Sequence, residues 1–175
     1  MENKINEILL FSKKQIKNGN QIFWVCPLIS DSKHLNYSSV NTRYNWLKKA
    51  FPKETAILHG EIKVDDKNII LNKFLKKEIK ILVSTTVIEV GIDVPDANIM
   101  VIENSERFGL AQLHQLRGRV GRGEKESFCI LMHSNSLNEL SEKRLQIITE
   151  TNDGFVIAEE DLKLRGPGDI LGLSQ

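Results

Sequence analysis

The 175-residue sequence contains only two cysteines, Cys26 and Cys129, and both stand inside apolar runs. That argues against a disulfide framework or a thiolate metal site and points to buried thiols. No apolar stretch approaches the ~20 residues that a membrane-spanning helix needs. The residues after Met1 include Glu2, Lys4 and Glu7, which is no signal peptide. Charge of one sign is missing as well. The 24 Lys and Arg nearly cancel the 23 Asp and Glu, and the net +1 excludes a polycation but not a local basic site. There are no internal repeats and no low-complexity segments. Two absences bear on chemistry: no G-x-x-x-x-G-K-[ST] phosphate loop, and no Asp-Glu pair after a strand to hold Mg²⁺. What remains is 41% hydrophobic and 27% charged, the composition of a globular chain. A chain of this length buries roughly 70% of its unfolded surface, enough for an ordinary core. The expectation is a soluble, cytoplasmic α/β domain with no membrane partner.

Apolar periodicity alternates in type along the chain. Ile5, Ile8, Leu9 and Ile16 suit one face of a first helix, stopped by Asn18-Gly19-Asn20. Ile22 to Cys26 reads as a buried strand ended by Pro27, followed by a polar loop with Asp31, Ser32 and Asn36. Tyr44, Leu47 and Ala50 mark a helix closed by Pro52, and Thr55 to Leu58 a strand. Ile69, Ile70 and Phe74 form the face of the next helix. Further strands follow at Ile79–Val83, Ile99–Ile102 and Phe128–Met132, with a helix at Leu110–Arg117 before the last. Strands separated by helices predict a mostly parallel sheet covered on both faces. In such sheets ligands sit beyond the carboxyl ends of the strands, where the unusual residues are expected. Residues 1–134 would form this domain. Residues 135–175 would add a helical hairpin, Leu137–Thr151 and Phe155–Leu164 joined by Asn152-Asp153-Gly154, with a tail.

Three segments stand out chemically. Ser84 to Pro95 follows a strand directly, so its hydroxyls and amides would project from the ligand edge. Thr hydroxyls and free N–H groups suit phosphate oxygens, Gly91 allows close approach, and Asp93 suits a ribose hydroxyl. The alternative is a plain turn capped by Asp93. Second, Arg117, Arg119 and Arg122 are interleaved with Gly118 and Gly121. Each glycine costs a helix ~1 kcal/mol, while the guanidinium fork matches phosphate. The alternative is a basic surface loop. Third, the stripe Leu137, Leu140, Ile147, Ile148 is interrupted by Arg144, four residues from both Leu140 and Ile148. A charge there needs a partner, and spacing alone favours a structural ion pair. His34, His59, His114 and His133 are scattered, as structural histidines are. Arginines aimed at phosphate without a lysine cradle or a metal site look like half of an active centre.

On these segments the sequence resembles the second motor lobe of superfamily 2 helicases, and within them the RecG branch-migration family. Ser84–Pro95 is similar to motif V and Gln115–Arg122 to motif VI. Trp24–Ile29 and Leu58-His59-Gly60 resemble RecG versions of the earlier lobe-two motifs. Asn152–Phe155 and Asp161–Gly168 through Gln175 resemble its translocation hairpin. The transcription-repair coupling factors, Mfd, share the Gly109–Leu113 and Gln115–Arg122 blocks and are the runner-up.

The resemblance implies a RecA-like fold and ATP bound between two lobes, with Mg²⁺ held by the other lobe. It also implies translocation on branched DNA: stalled forks and recombination junctions. By motif match, Arg119 and Arg122 would be arginine fingers with Gln115 beside them, all near the γ-phosphate. Gly91 and Asp93 would face the nucleotide. Thr85, Thr86, His59 and Gly60 would meet the DNA backbone. Arg144, Arg165 and Gln175 match positions that couple lobe closure to movement, which overturns the ion-pair reading of Arg144. The wedge domain and first lobe are missing, so the expectation is a piece of a longer monomeric enzyme, inactive as an ATPase alone. A non-enzymatic nucleic-acid-binding module and a complete small nucleotide-binding enzyme are the other classes. The missing phosphate loop argues against the latter, and near-neutral charge argues against tight autonomous DNA binding.

Overall fold

The computed structural model describes residues 2–27, 33–85, 97–121 and 126–165. Five strands form one sheet: β1 (Gln21–Val25), β2 (Thr55–Leu58), β3 (Ile81–Ser84), β4 (Ala97–Ile102) and β5 (Phe128–Leu131). Their order is β2-β3-β1-β4-β5, and every pairing is parallel. The three inner strands are buried at every position, which is why they read as continuous apolar runs rather than alternating ones. Edge strand β5 is half-buried throughout.

Side chains on a strand alternate between faces, and two apolar clusters result. Phe23, Val25, Leu82, Met100 and Ile102 meet helices α3 (Val64–Leu75) and α4 (Leu110–Arg117) on one face. Ile22, Trp24, Ile81, Val83, Ile99 and Val101 meet α1 (Glu2–Lys17) and α2 (Lys33–Ala50) on the other. Fully burying one such side chain contributes about 1.5–3 kcal/mol. Helix α1 stops where Gly19 turns at φ 82°. Helix α3 carries Asp65 and Asp66 in its first turn and Lys73 in its last, complementing its dipole.

The chain closes with α5 (Glu139–Glu150) and α6 (Gly154–Arg165). Asn138 caps α5 by accepting from the Ser141 N–H at 2.8 Å. Asp153 caps α6, its Oδ1 accepting from the Phe155 N–H at 2.8 Å. Polar Asn152-Asp153 therefore makes the hairpin link that the sequence indicated, and Gly154 of the expected link opens α6. Leu145, Ile148 and Ile157 join the same buried cluster as Leu113 and Leu116 of α4.

Five expectations change. Asn36 is helical, because α2 already begins at Lys33; Asp31 and Ser32 lie outside the described residues. Ile69 is 53% exposed, since α3 turns Ile70, Leu71 and Phe74 inward instead. Leu140 is 46% exposed, and the inward face of α5 is Ser141, Leu145 and Ile148. Starting α5 at Glu139 sets that phase and leaves Leu137 ahead of the helix, packed against the core. Cys129, on the edge strand, is half-buried rather than buried.

A buried amide ties the sheet to α3. Gln21 Nε2 donates to the carbonyls of Phe74 (2.6 Å) and Ile79 (2.8 Å), satisfying the link between α3 and β3. Gln21→Leu orphans the Ile79 carbonyl, while Phe74 O keeps the Lys77 N–H (2.9 Å), and an unsatisfied buried group costs about 1–3 kcal/mol. Urea denaturation should show a loss of that order, and an unchanged midpoint would contradict this account.

Candidate functional site

The carboxyl edge of the sheet collects one set of residues. His59 and Gly60 follow β2, and their turn is held by Ile62 N–H to His59 O (3.2 Å) and Lys67 Nζ to Gly60 O (3.2 Å). Burial pulls the His59 pKa below its ordinary value, Glu61 opposing and Lys67 reinforcing, so the ring is neutral at pH 7. Thr85 follows β3 directly but is only 5% exposed. Thr86, Gly91 and Asp93 lie outside the described residues.

The same edge holds a cluster that sequence reading missed. Glu103, just beyond β4, accepts from the indole N–H of fully buried Trp24 and from the Arg43 guanidinium. The guanidinium carbon stands 4.9 Å from the Trp46 ring centroid and 5.7 Å from that of Trp24. The signal was present: an indole inside an apolar strand needs an acceptor, and Glu103 ends a buried strand. A cavity of about 390 Å³ opens beside the pair, between α1 and the end of β5, lined by Lys4, Ile8, Arg43, Glu103 and His133.

Arg119 is elsewhere. Helix α4 leaves the carboxyl edge after the Ser105–Arg107 turn and runs back along the sheet. At its far end the Gly121 N–H bonds Ala97 O, the first residue of β4 (3.2 Å). Arg119 thus approaches the amino edge, and the expectation that all unusual residues share the carboxyl edge is corrected. The cause is geometric: a helix after a parallel strand must return to where the next strand starts. Gln115, exposed, is one helical turn before Arg119, which is half-buried. Arg122 lies outside the described residues.

Arg117, the first of the three spaced arginines, is not poised for a ligand. Its Nη1 donates to Ile148 O (2.6 Å) and Thr151 O (2.8 Å), and its Nη2 to His114 Nδ1 (3.1 Å). Arginine only donates, so His114 Nδ1 accepts and its proton sits on Nε2. Arg144 reaches the opposite way, from α5 to Phe108 O (3.2 Å), Glu106 O (3.4 Å) and Ser141 Oγ (3.0 Å). Its acceptors are carbonyls and a hydroxyl, with no ion pair among the described residues, and its buried Nε has no partner there. Exposed Arg165 pairs with largely covered Asp161, one turn earlier on α6, at 2.7 Å. Gln175 lies outside the described residues.

Burial pushes the Cys129 thiol up to about 11 and the Cys26 thiol higher still, so neither is a thiolate at neutral pH. Among the described residues no three His, Cys, Asp or Glu side chains cluster to hold a metal ion.

Residues 2–124 match the Helicase conserved C-terminal domain family. Residues 151–175 match the family described as ATP-dependent DNA helicase RecG, domain 3, C-terminal. The chain is 49% identical over 178 aligned residues to the ATP-dependent DNA helicase RecG of Aquifex aeolicus, covering 99% of this chain and 22% of that protein. It is 47% identical to that of Bacillus subtilis, covering 98% of this chain and 25% of that protein. The chain thus spans about a quarter of the length of these relatives. A structure of RecG bound to a three-way DNA junction superimposes with a TM-score of 0.79 at 47% identity, over 96% of this chain and 22% of that one. The C-terminal domain of the DEAD-box protein Dbp5 shares the fold, with a TM-score of 0.54 at 23% identity over 75% of this chain and 68% of that one. Both support the RecA-like α/β expectation.

The turn after α4 generates a stability test. Gly121 adopts φ 77°, and an added Cβ would stand 2.6 Å from Ser127 Cβ and closer to its hydroxyl. A non-glycine residue held in that region costs about 1–3 kcal/mol. Gly121→Ala should lower unfolding free energy by at least that much, and adding Ser127→Gly should recover the contact part. A double variant no more stable than the single would remove Ser127 from the explanation.

Proposed function

The chain belongs to the Helicase conserved C-terminal domain family, and on that basis we propose that it is the second motor lobe of a RecG-type, ATP-dependent DNA translocase that remodels branched DNA in the cytoplasm. The observation that carries the reading is the separation of two residue sets by the sheet. Arg119 near the amino edge and backbone-contact candidates at the carboxyl edge suit a lobe that meets nucleotide on one side and DNA on the other. The match of residues 151–175 to a RecG domain favours RecG over Mfd.

Arg119 fits the terminal phosphate of a nucleotide held mainly by another lobe. It offers a charged fork, and this sequence has no phosphate loop of its own. When bound, ATP supplies the phosphoanhydride whose hydrolysis drives movement. Arg119 and Arg122 would stabilise transition-state charge, Gln115 would stand one turn away, and Gly91 and Asp93 would line the near side. Mg²⁺ would belong to the first lobe, as the resemblance to two-lobed motors implies. At the other edge, His59 and Gly60 would meet DNA phosphates, and Thr85 and Thr86 would join them. The division at residue 134 is functional in this reading: 135–175 would convert lobe closure into motion. Arg144, which grips the turn leading into α4, supports that role, with Arg165 and Gln175 continuing it. The first lobe, the wedge domain and the branched DNA are the partners, in a monomeric enzyme.

Two outcomes test this. The chain alone should hydrolyse no ATP even with fork DNA, and robust turnover by it would end the half-site reading. In the full-length parent, Arg119→Lys should lower hydrolysis ~10³–10⁵-fold while nucleotide affinity barely changes. Turnover equal to wild type would reduce Arg119 to a structural residue.

Hairpin coupling has its own test. Arg165→Ala in the parent should spare DNA-stimulated hydrolysis while fork unwinding falls. A joint fall of both with the melting temperature would leave Arg165 as a surface ion-pair partner only.

A further inference from the structure

Two helix carboxyl ends converge on one side chain. Arg117 is the last residue of α4, and its Nη1 bridges the carbonyls of Ile148 and Thr151, where α5 ends. The final carbonyls of a helix have no partner within it, and each carboxyl end carries roughly half a negative charge. A single guanidinium therefore neutralises both ends and satisfies two of those carbonyls, while its other nitrogen is held by His114, a turn earlier on α4. His114 is itself pressed against the hairpin link, 3.3 Å from where a Cβ on Gly154 would lie.

The same short stretch carries Arg119. The turn after α4 is closed by Arg119 N–H to Leu116 O (3.0 Å) and Val120 N–H to Arg117 O (3.4 Å), and is pinned to β4 through Gly121. Arg119 is separated from Arg117 by one residue of a hydrogen-bonded turn, so it does not shift without Arg117. Arg117 cannot shift without dragging the end of α5.

We propose that Arg117 is a positioning residue that transmits displacement of the Arg119 turn to the α5–α6 hairpin. It rests on the motor-lobe reading above and adds a residue that the motif comparison did not assign to coupling. The geometry demands arginine. A lysine ammonium reaches one carbonyl and lacks the planar fork needed for three acceptors, and glutamine neutralises neither helix end.

The test uses the full-length parent, with hydrolysis, junction unwinding and melting temperature measured on the same preparations. Arg117→Gln should keep DNA-stimulated hydrolysis near wild type while unwinding per ATP falls about tenfold, the size of an ordinary coupling between sites. Arg117→Lys should recover part of that loss. His114→Ala, which keeps both carbonyl bonds, should lose less than Arg117→Gln. Amide exchange at the α5 end should quicken in the same order. Unchanged unwinding in Arg117→Gln overturns the proposal. So does a parallel fall of hydrolysis, unwinding and melting temperature, or loss of hydrolysis at an unchanged melting temperature. A wild-type parent that neither hydrolyses ATP nor unwinds junctions overturns the motor reading, and this inference with it.

Discussion

Parallel pairing of all five strands governs where everything else in this molecule can be. After each strand the chain must travel back to the starting edge before the next strand begins, and a helix is the compact way to do so. The return leg of α4 carries Arg119 from the edge where β4 ends to the edge where it began. The connections at the opposite edge keep His59, Gly60 and Thr85 together with Glu103. A lobe with two chemically different rims follows from the sheet itself, before any side chain is chosen.

The hairpin is bound into that plan from both ends of α4. Arg144 grips the turn that leads into the helix, and Arg117 leaves its far end to close α5. Between them Leu145, Ile148 and Ile157 share a buried cluster with Leu113 and Leu116. Arginine-to-carbonyl bonds fix orientation, and apolar burial supplies most of the attachment. Such a unit moves as a body with α4 far more readily than it slides across it.

Much of the fold was legible because inner strands of a parallel sheet are apolar at every position, and Leu110–Arg117 was read residue for residue as helix. Helix phase was less legible. Ile69 and Leu140 are as apolar as their neighbours, and only packing decides which of several adjacent apolar residues turns inward. The chemical segments announced themselves by glycines among arginines, yet spacing could not divide the labour. Nothing in the order Arg117-Gly118-Arg119 says that the first arginine is committed to backbone carbonyls 31 and 34 residues away in sequence. Glu103 and Arg43 escaped for the same reason: 60 residues apart in sequence, they meet only after β1 and β4 pair.

That corner has an optical consequence. Trp24 and Trp46 are the chain's two tryptophans, and their rings stand 6.3 Å apart beside one guanidinium, with the indole N–H of Trp24 on a carboxylate. All the intrinsic indole fluorescence of this chain therefore originates at the carboxyl rim, in a setting of fixed charge that sets its colour and quenching. Excitation of this lobe is a built-in reporter of events at that rim, silent about the hairpin on the far face.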